Sequence, residues 1–298
     1  MRLPHFLIIG SMKAGTTSLY RDLLTNERVF MPARKEPNNL CDDHVLTEKG
    51  RAEYAALFDA ARDGQVLGEA STSYTKLPDF PGVPERCMRV LGPDVKLIYL
   101  VRDPVVRAIS HHRHASELGV ITSPIDEAVH EHPMLVNYSK YAVQLRAWRD
   151  VYGQDGVMVV RFEDYVKDRP AWTARVSEYL GIQPRPDLVE VEKVFNKAED
   201  KRVSKGPFAL IQRQPIYRKV IKPLLPRSIR ERASRNLLPK AEGDVAPPSE
   251  STLKFLIEQL RGDSRELASM VGSPKPWWDL DRNLENAAAP RQAASSDA

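Results

Sequence analysis

With 298 residues, 42% of them hydrophobic, the chain can bury one sizeable core, which favours a single large α/β domain over two small ones. Its 44 Lys and Arg against 40 Asp and Glu leave a formal charge of +4, and that surplus is local: residues 201–240 hold twelve basic residues against Glu231, so the remainder sums to −7. Two cysteines, Cys41 and Cys87, are too few for a disulfide framework and suit a reducing cytoplasm, and no apolar run approaches the roughly 20 residues that span a bilayer.

The chain opens on a strand pattern at residues 5–9, ending at Gly10. This run is too short for a signal-peptide core. Ser11-Met12-Lys13-Ala14-Gly15 then leads into a helical pattern near Ser18 to Thr25. Strand, small-residue turn and helix N-terminus together make the sequence form of an anion cradle. The first-turn amides lack internal partners and carry the positive end of the helix dipole. Thr16, Thr17 and Ser18 add hydroxyl donors. Gly10 and Gly15 have the separation of a G-x-x-x-x-G-K-[ST] loop, but Thr16 stands where that loop has its Lys. A lysine inside the loop, Lys13, suits a shorter anion such as a sulfated monophosphate. A plain strand–helix turn is the other reading.

Strand patterns recur at residues 65–69, 96–101 and 157–161. The run Leu97 to Val101 delivers Arg102 at its carboxyl end, where open α/β sheets bind ligands. Pro104 suits the first turn of a helix from Val105 to Leu118, with Ser110 about two turns along it. Arg102 can grip a phosphate in bidentate fashion and Ser110 can complete the contact. A surface Arg102–Asp103 ion pair, or the acidic strand end of an ATPase, are the alternatives. Further helices are expected from Tyr138 to Val151, with Tyr141, Leu145 and Trp148 on one stripe, and from Arg169 to Leu180, closed by Gly181. Alternating strands and helices predict a central parallel sheet flanked by helices on both faces.

Lys13-Ala14-Gly15-Thr16-Thr17-Ser18 resembles the 5′-phosphosulfate loop of sulfotransferases that use 3′-phosphoadenosine 5′-phosphosulfate (PAPS). The Arg102…Ser110 segment resembles their 3′-phosphate-binding strand and helix. Lys35-Glu36-Pro37, Gly68-Glu69-Ala70-Ser71-Thr72-Ser73-Tyr74 and Val157 to Tyr165 are similar to further segments of the carbohydrate (heparan-sulfate-type) and bacterial branch, in order from about residue 5 to 280. Thr72-Ser73 replaces the usual Thr-Pro, and Ala70 stands where many heparan-type enzymes have Lys. Ser204-Lys205-Gly206 resembles the loop that closes over PAPS, which makes Lys205 and Gly206 cofactor-binding candidates, although Pro207-Phe208 replaces the basic residues that often follow.

The resemblance implies a P-loop NTPase-like sulfotransferase fold over residues 1–285; on charge, 201–240 reads as a basic lid or cap within it, and on composition the Ala- and Ser-rich 286–298 reads as a disordered tail. The resemblance also implies a sulfuryl transfer from PAPS to a hydroxyl acceptor, leaving PAP. Lys13 would answer charge on the bridging oxygen and Glu36 would take the acceptor proton. Lys13, Ala14, Gly15, Thr16, Thr17, Ser18, Arg102 and Ser110 would hold the nucleotide, and the scheme requires no metal.

His111, His112 and His114 on one helix, and His44 after Asp42-Asp43, are rival bases. Without the family pattern Glu36 reads as an ordinary loop carboxylate. With no anchor before the first strand, a bacterial cytoplasmic enzyme is expected. The basic segment reads as a solvated cap or as a lid touching an anionic membrane surface, and no aromatic ladder supports nucleic acid. The acceptor, a sugar, glycolipid or small metabolite, is left to the loops at 37–60, 71–85 and 115–138. A P-loop kinase or NTPase, and a nucleotide- or lipid-binding module without turnover, are the alternative functions.

Overall fold

A computed structural model describes residues 1–191 and 246–288. Lys205, Gly206, the basic segment 201–240 and residues 289–298 lie outside the described residues. In chain order the strands are β1 (Phe6–Gly10), β2 (Val29–Phe30), β3 (Val66–Ala70), β4 (Lys96–Val101) and β5 (Val157–Arg161). The first half carries helices α1 (Thr16–Leu23), α2 (Glu48–Ala56), α3 (Val83–Leu91), α4 (Pro104–Glu117), α5 (Ile125–Glu131) and α6 (Met134–Asn137). Then come α7 (Tyr141–Tyr152), α8 (Phe162–Lys167), α9 (Arg169–Tyr179), α10 (Glu250–Met270) and α11 (Arg282–Ala288).

The strands form one parallel sheet in the order β2-β3-β1-β4-β5. Phe-Leu-Ile-Ile-Gly in β1 is buried throughout, as a central strand covered on both faces must be. Its side chains alternate between two cores. Leu7 and Ile9 join Leu67, Leu97, Tyr99 and Val101 on the face covered by α3, α4, α7 and α10. Phe6 and Ile8 join Ala70, Ile98, Leu100 and Val160 on the face covered by α1, α8 and α9. The fold is therefore three layers, helix on sheet on helix, as expected from the alternation of patterns.

The topology places a crevice. The chain leaves β1 for the edge at β2, returns through β3, then crosses β1 to reach β4. Helix α1 packs on one face and α4 on the other, so the connections after β1 and β4 diverge. Ligands of open α/β sheets sit at such a point, beyond the carboxyl ends of the strands. Gly10 and Arg102 mark those ends here.

Candidate active site

Ser11 N donates to Leu100 O at 2.7 Å, which starts the β1–α1 loop against β4. Ala14 N donates back to Ser11 O at 3.2 Å and turns the chain. Lys13 (φ 72°) and Gly15 (φ 85°) both adopt left-handed backbone. Glycine is required at 15 on two counts. A side chain disfavours that φ, and a Cβ would lie 2.7 Å from the Phe162 ring. At Gly10 a Cβ would lie 2.0 Å from Thr75 Oγ1, whose hydroxyl donates to Ile9 O at 3.1 Å.

Helix α1 then begins with no side-chain cap and no acidic residue in its first turn. Ser18 N and Leu19 N both bond Gly15 O, at 2.9 and 3.2 Å, and the amides of Thr16 and Thr17 before them have no intrahelical partner. Thr17 and Ser18 are half-buried there, and Ala14 turns its methyl into the core beneath. This donor set, amides, hydroxyls and Lys13 without a carboxylate in the first turn, fits a phosphate or phosphosulfate.

Arg102 closes the other side of the loop. Its Nη1 donates to Lys13 O at 3.3 Å, and its guanidinium lies 4.8 Å from the centre of the Phe162 ring. Among the described residues no carboxylate forms an ion pair with it. Asp103, next in sequence, is an N-cap: Oδ1 accepts from Val105 N at 2.9 Å and Val106 N at 3.0 Å, and Oδ2 accepts from Asn283 Nδ2 at 3.2 Å. Burial pushes its carboxyl up from the usual range. Committed to the helix, Asp103 does not present the free strand-end carboxylate of an ATPase. Ser110 is half-buried on α4, and among the described residues no hydrogen bond joins it to the β1–α1 loop.

Glu36 reaches the same place from the connection after β2. Its backbone is left-handed (φ 60°), as is that of Asn38 (φ 61°), an unfavourable arrangement for residues with side chains. Three contacts fasten the loop to the end of β3 and the turn beyond. Glu36 N donates to Ala70 O at 2.9 Å, Asn38 N to Ser71 Oγ at 3.2 Å and Leu40 N to the Tyr74 hydroxyl at 3.3 Å. Beneath them Glu69 is buried, accepting from Ser71 Oγ at 2.6 Å and from the Tyr54 hydroxyl, and burial raises its pKa.

The Glu36 carboxylate accepts from Lys35 Nζ at 3.0 Å on Oε1 and from Thr72 Oγ1 at 3.3 Å on Oε2. Lys35 Nζ also donates to Thr16 Oγ1 at 3.2 Å, so one ammonium joins the carboxylate to the first residue of α1. Lys76 lies 3.5 Å from Ser73 Oγ and 5.7 Å from the centre of the Tyr138 ring. Burial lowers its pKa, while attraction to Glu36 opposes the shift.

Lys13, Ala14, Gly15, Thr16, Thr17, Ser18, Arg102 and Glu36 are thus brought to one end of the sheet. Lys35, Thr72 and Lys76 were not among the expected site residues. The first two stood in the quoted motifs without a role, and only the folded loop shows what they touch.

The four candidate histidines have partners of their own. His111 is buried, stacked on Tyr138 with ring centres 5.7 Å apart and with Nδ1 3.5 Å from Arg107 Nη1. Burial first, then the neighbouring Arg107, Lys76, His114 and Lys13, push its pKa down to about 3. Such a ring is a weak base. His112 Nε2 meets Ser123 O at 3.0 Å, His114 lies 3.8 Å from Glu117, and exposed His44 pairs with Glu53 at 2.9 Å. Among the described residues no three His, Cys, Asp or Glu side chains gather as metal ligands.

A doubly wound parallel sheet with an anion loop at its switch point defines a class of phosphate-handling α/β proteins. Within that class, residues 4–187 match the model of the sulfotransferase family, and the chain belongs to that family. It is 30% identical over 194 residues to heparan sulfate glucosamine 3-O-sulfotransferase 6 of Homo sapiens, covering 61% of this chain and 53% of that protein. It is 23% identical over 266 residues to carbohydrate sulfotransferase 15 of Mus musculus, covering 67% of this chain and 47% of the relative. The chain thus spans about half the length of these curated relatives. A crystal structure of a sulfotransferase from Alicyclobacillus acidocaldarius superposes with a TM-score of 0.62 at 20% identity, over 92% of this chain and 97% of that one, which shows the shared fold.

Proposed function

We propose that this protein transfers a sulfuryl group from PAPS to a hydroxyl acceptor, with Glu36 as general base and Lys13 beside the phosphate that is left. The observation that carries the reading is the meeting of Glu36 with the N-terminus of α1 through Lys35, at 3.0 and 3.2 Å. It sets a carboxylate next to an anion cradle at the switch point of the sheet. PAPS supplies the activated sulfuryl group. The residues of the chain supply orientation, charge and a proton acceptor. The amides and hydroxyls of Thr16, Thr17 and Ser18 hold the 5′ end. Arg102 and Ser110, at the other side of the crevice, hold the 3′ phosphate, and Lys205 and Gly206 contribute from outside the described residues. Glu36 takes the proton of the attacking hydroxyl, and Lys13 answers the charge left on the phosphate.

The acceptor is proposed as a sugar, glycolipid or small metabolite; the relatives' names support a carbohydrate. A bacterial, cytoplasmic setting belongs to the same proposal. Support for the cytoplasm comes from the two free cysteines, Cys41 and Cys87. Among the described residues no helix is long and apolar enough to cross a membrane. Peripheral membrane contact through 201–240 is part of the proposal on charge alone.

Calorimetric titration with PAP, adenosine 5′-phosphosulfate and ATP–Mg tests the cofactor. Micromolar PAP binding without magnesium is expected, with much weaker binding of the nucleotide lacking the 3′ phosphate. Arg102→Ala should erase most of that difference. Preference for ATP–Mg over PAP would overturn the reading.

A further inference from the structure

Lys35 has more to do than hold Glu36. We propose that its ammonium contacts the transferring sulfuryl group directly, as a second cationic catalytic residue opposite Lys13; this rests on the sulfotransferase reading above. An ammonium has three N–H donors. One goes to Glu36 Oε1 at 3.0 Å and one to Thr16 Oγ1 at 3.2 Å. The third remains for a group seated over the first turn of α1, because Thr16 is the first residue of that helix and the first-turn amides have no intrahelical partner. Only 19% of the Lys35 side chain is exposed, so its charge acts with little screening by water.

The two lysines come from different segments of the chain. Lys13 belongs to the loop, and Arg102 binds its carbonyl at 3.3 Å. Lys35 stands on the Glu36 side, between the base and the cradle. Sulfuryl transfer requires the acceptor oxygen, the sulfur and the leaving oxygen in line. The acceptor enters beside Glu36 and the leaving oxygen departs beside the loop. A cation touching both the carboxylate and Thr16 therefore flanks the sulfur between them. The new sulfur–oxygen bond forms at the acceptor, whose proton passes to Glu36. The old sulfur–oxygen bond breaks with its electron pair going to the phosphate. Lys35 gains and loses no bond, and stabilises the charge on the sulfuryl oxygens.

A simple tether for Glu36 would use the same two contacts, and the test separates the two roles. PAPS and PAP affinities are measured by calorimetry in Glu36→Gln, which should not turn over, and in the same protein carrying Lys35→Ala or Lys35→Arg. Melting temperatures check that each variant is folded. Lys35→Ala should weaken PAPS about tenfold while PAP, which lacks the sulfuryl group, stays within twofold; Lys35→Arg should restore most of the difference. In the Glu36 protein, Lys35→Ala should lower kcat about a hundredfold.

If PAPS and PAP affinities both hold, or both fall together, Lys35 is a tether or a loop support and the proposal is overturned. If the unsubstituted protein binds neither nucleotide, the sulfotransferase reading itself fails, a result distinct from the first.

Discussion

Glu36 sits on left-handed backbone, clamped by hydrogen bonds to Ala70 and, through Asn38, to Ser71. A loop held in that way fixes the carboxylate before any ligand arrives, which is what a general base needs. Glu36→Gln keeps the shape and the acceptor oxygen while removing the basicity. It should lower kcat by about 10²- to 10⁴-fold and leave PAP affinity near that of the unsubstituted protein. A fully active variant would remove Glu36 from the mechanism. Lys13→Ala is expected to separate the same quantities in a milder way, costing far more in turnover than in PAP affinity. Equal losses in both would make Lys13 a binding residue only. Lys13 and Arg102 stand out in the sequence because each lies in a short segment whose residue types suit an anion, whereas Glu36 stands out only through the family pattern. Thr72 and Lys76 do not, since their place beside Glu36 depends on how loops 36 residues and more apart close on one another. The same limit holds for the histidines: the spacing of His111, His112 and His114 on α4 is visible in the sequence, whereas the burial of His111 and the Arg107 guanidinium beside it appear only after folding.

Among the elements, α1 must hold its N-terminus still if it is to serve as an anion cradle. Its last turn is tied down by Asp22, which is buried and accepts from Arg169 Nε at 3.0 Å and from the Tyr165 hydroxyl at 2.5 Å, joining α1 to α8 and α9. Asp22 and the hydroxyl raise the pKa of Arg169, and burial raises that of Tyr165. Removing one partner of a buried pair strands the other. Asp22→Ala should therefore cost about 3–5 kcal/mol in chemical denaturation, and a loss below 1 kcal/mol would show that water solvates Arg169 well enough to replace the carboxylate. The strands β1, β3, β4 and β5 and the helices α1, α4, α7 and α9 were legible because apolar runs and stripes of the right period precede usable stop signals. Strand β2 has two residues and carries no period to read. Helix α10 does, at Leu253, Leu256, Ile257, Leu260 and Leu267, all buried against the α4–α7 side of the sheet. Its stripe stands apart from every motif, because α10 lies beyond the segments that carry chemistry.

For the molecule as a whole, cations gather at the carboxyl end of the sheet: Lys13, Lys35, Lys76 and Arg102, with Arg107 behind them. Arg107 is fully buried, held by Ser139 Oγ and Leu135 O at 2.6 Å each, and among the described residues no carboxylate forms an ion pair with it. Such a cleft attracts a multiply charged nucleotide, and it also makes a further positive charge costly. His111 bears that cost on top of a larger one, its own burial. Its folded pKa of about 3 lies below the ordinary value of 6.5, so between those pH values the unfolded chain binds the extra proton and the folded chain does not. Stability from the neutral ring is fully present above about pH 6.5 and declines as pH falls towards 3, by at most about 1.4 kcal/mol for each pH unit. His111→Phe keeps a flat ring against Tyr138 and removes the titration. Urea midpoints at pH 7.5, 5.5 and 4.5 should show the unsubstituted protein losing stability faster than His111→Phe below pH 6.5. Parallel losses would mean that the folded ring takes up its proton as readily as the unfolded one. In that event the penalty from burial and from the cation cluster would be absent, and His111 would return as a rival to Glu36 for the acceptor proton.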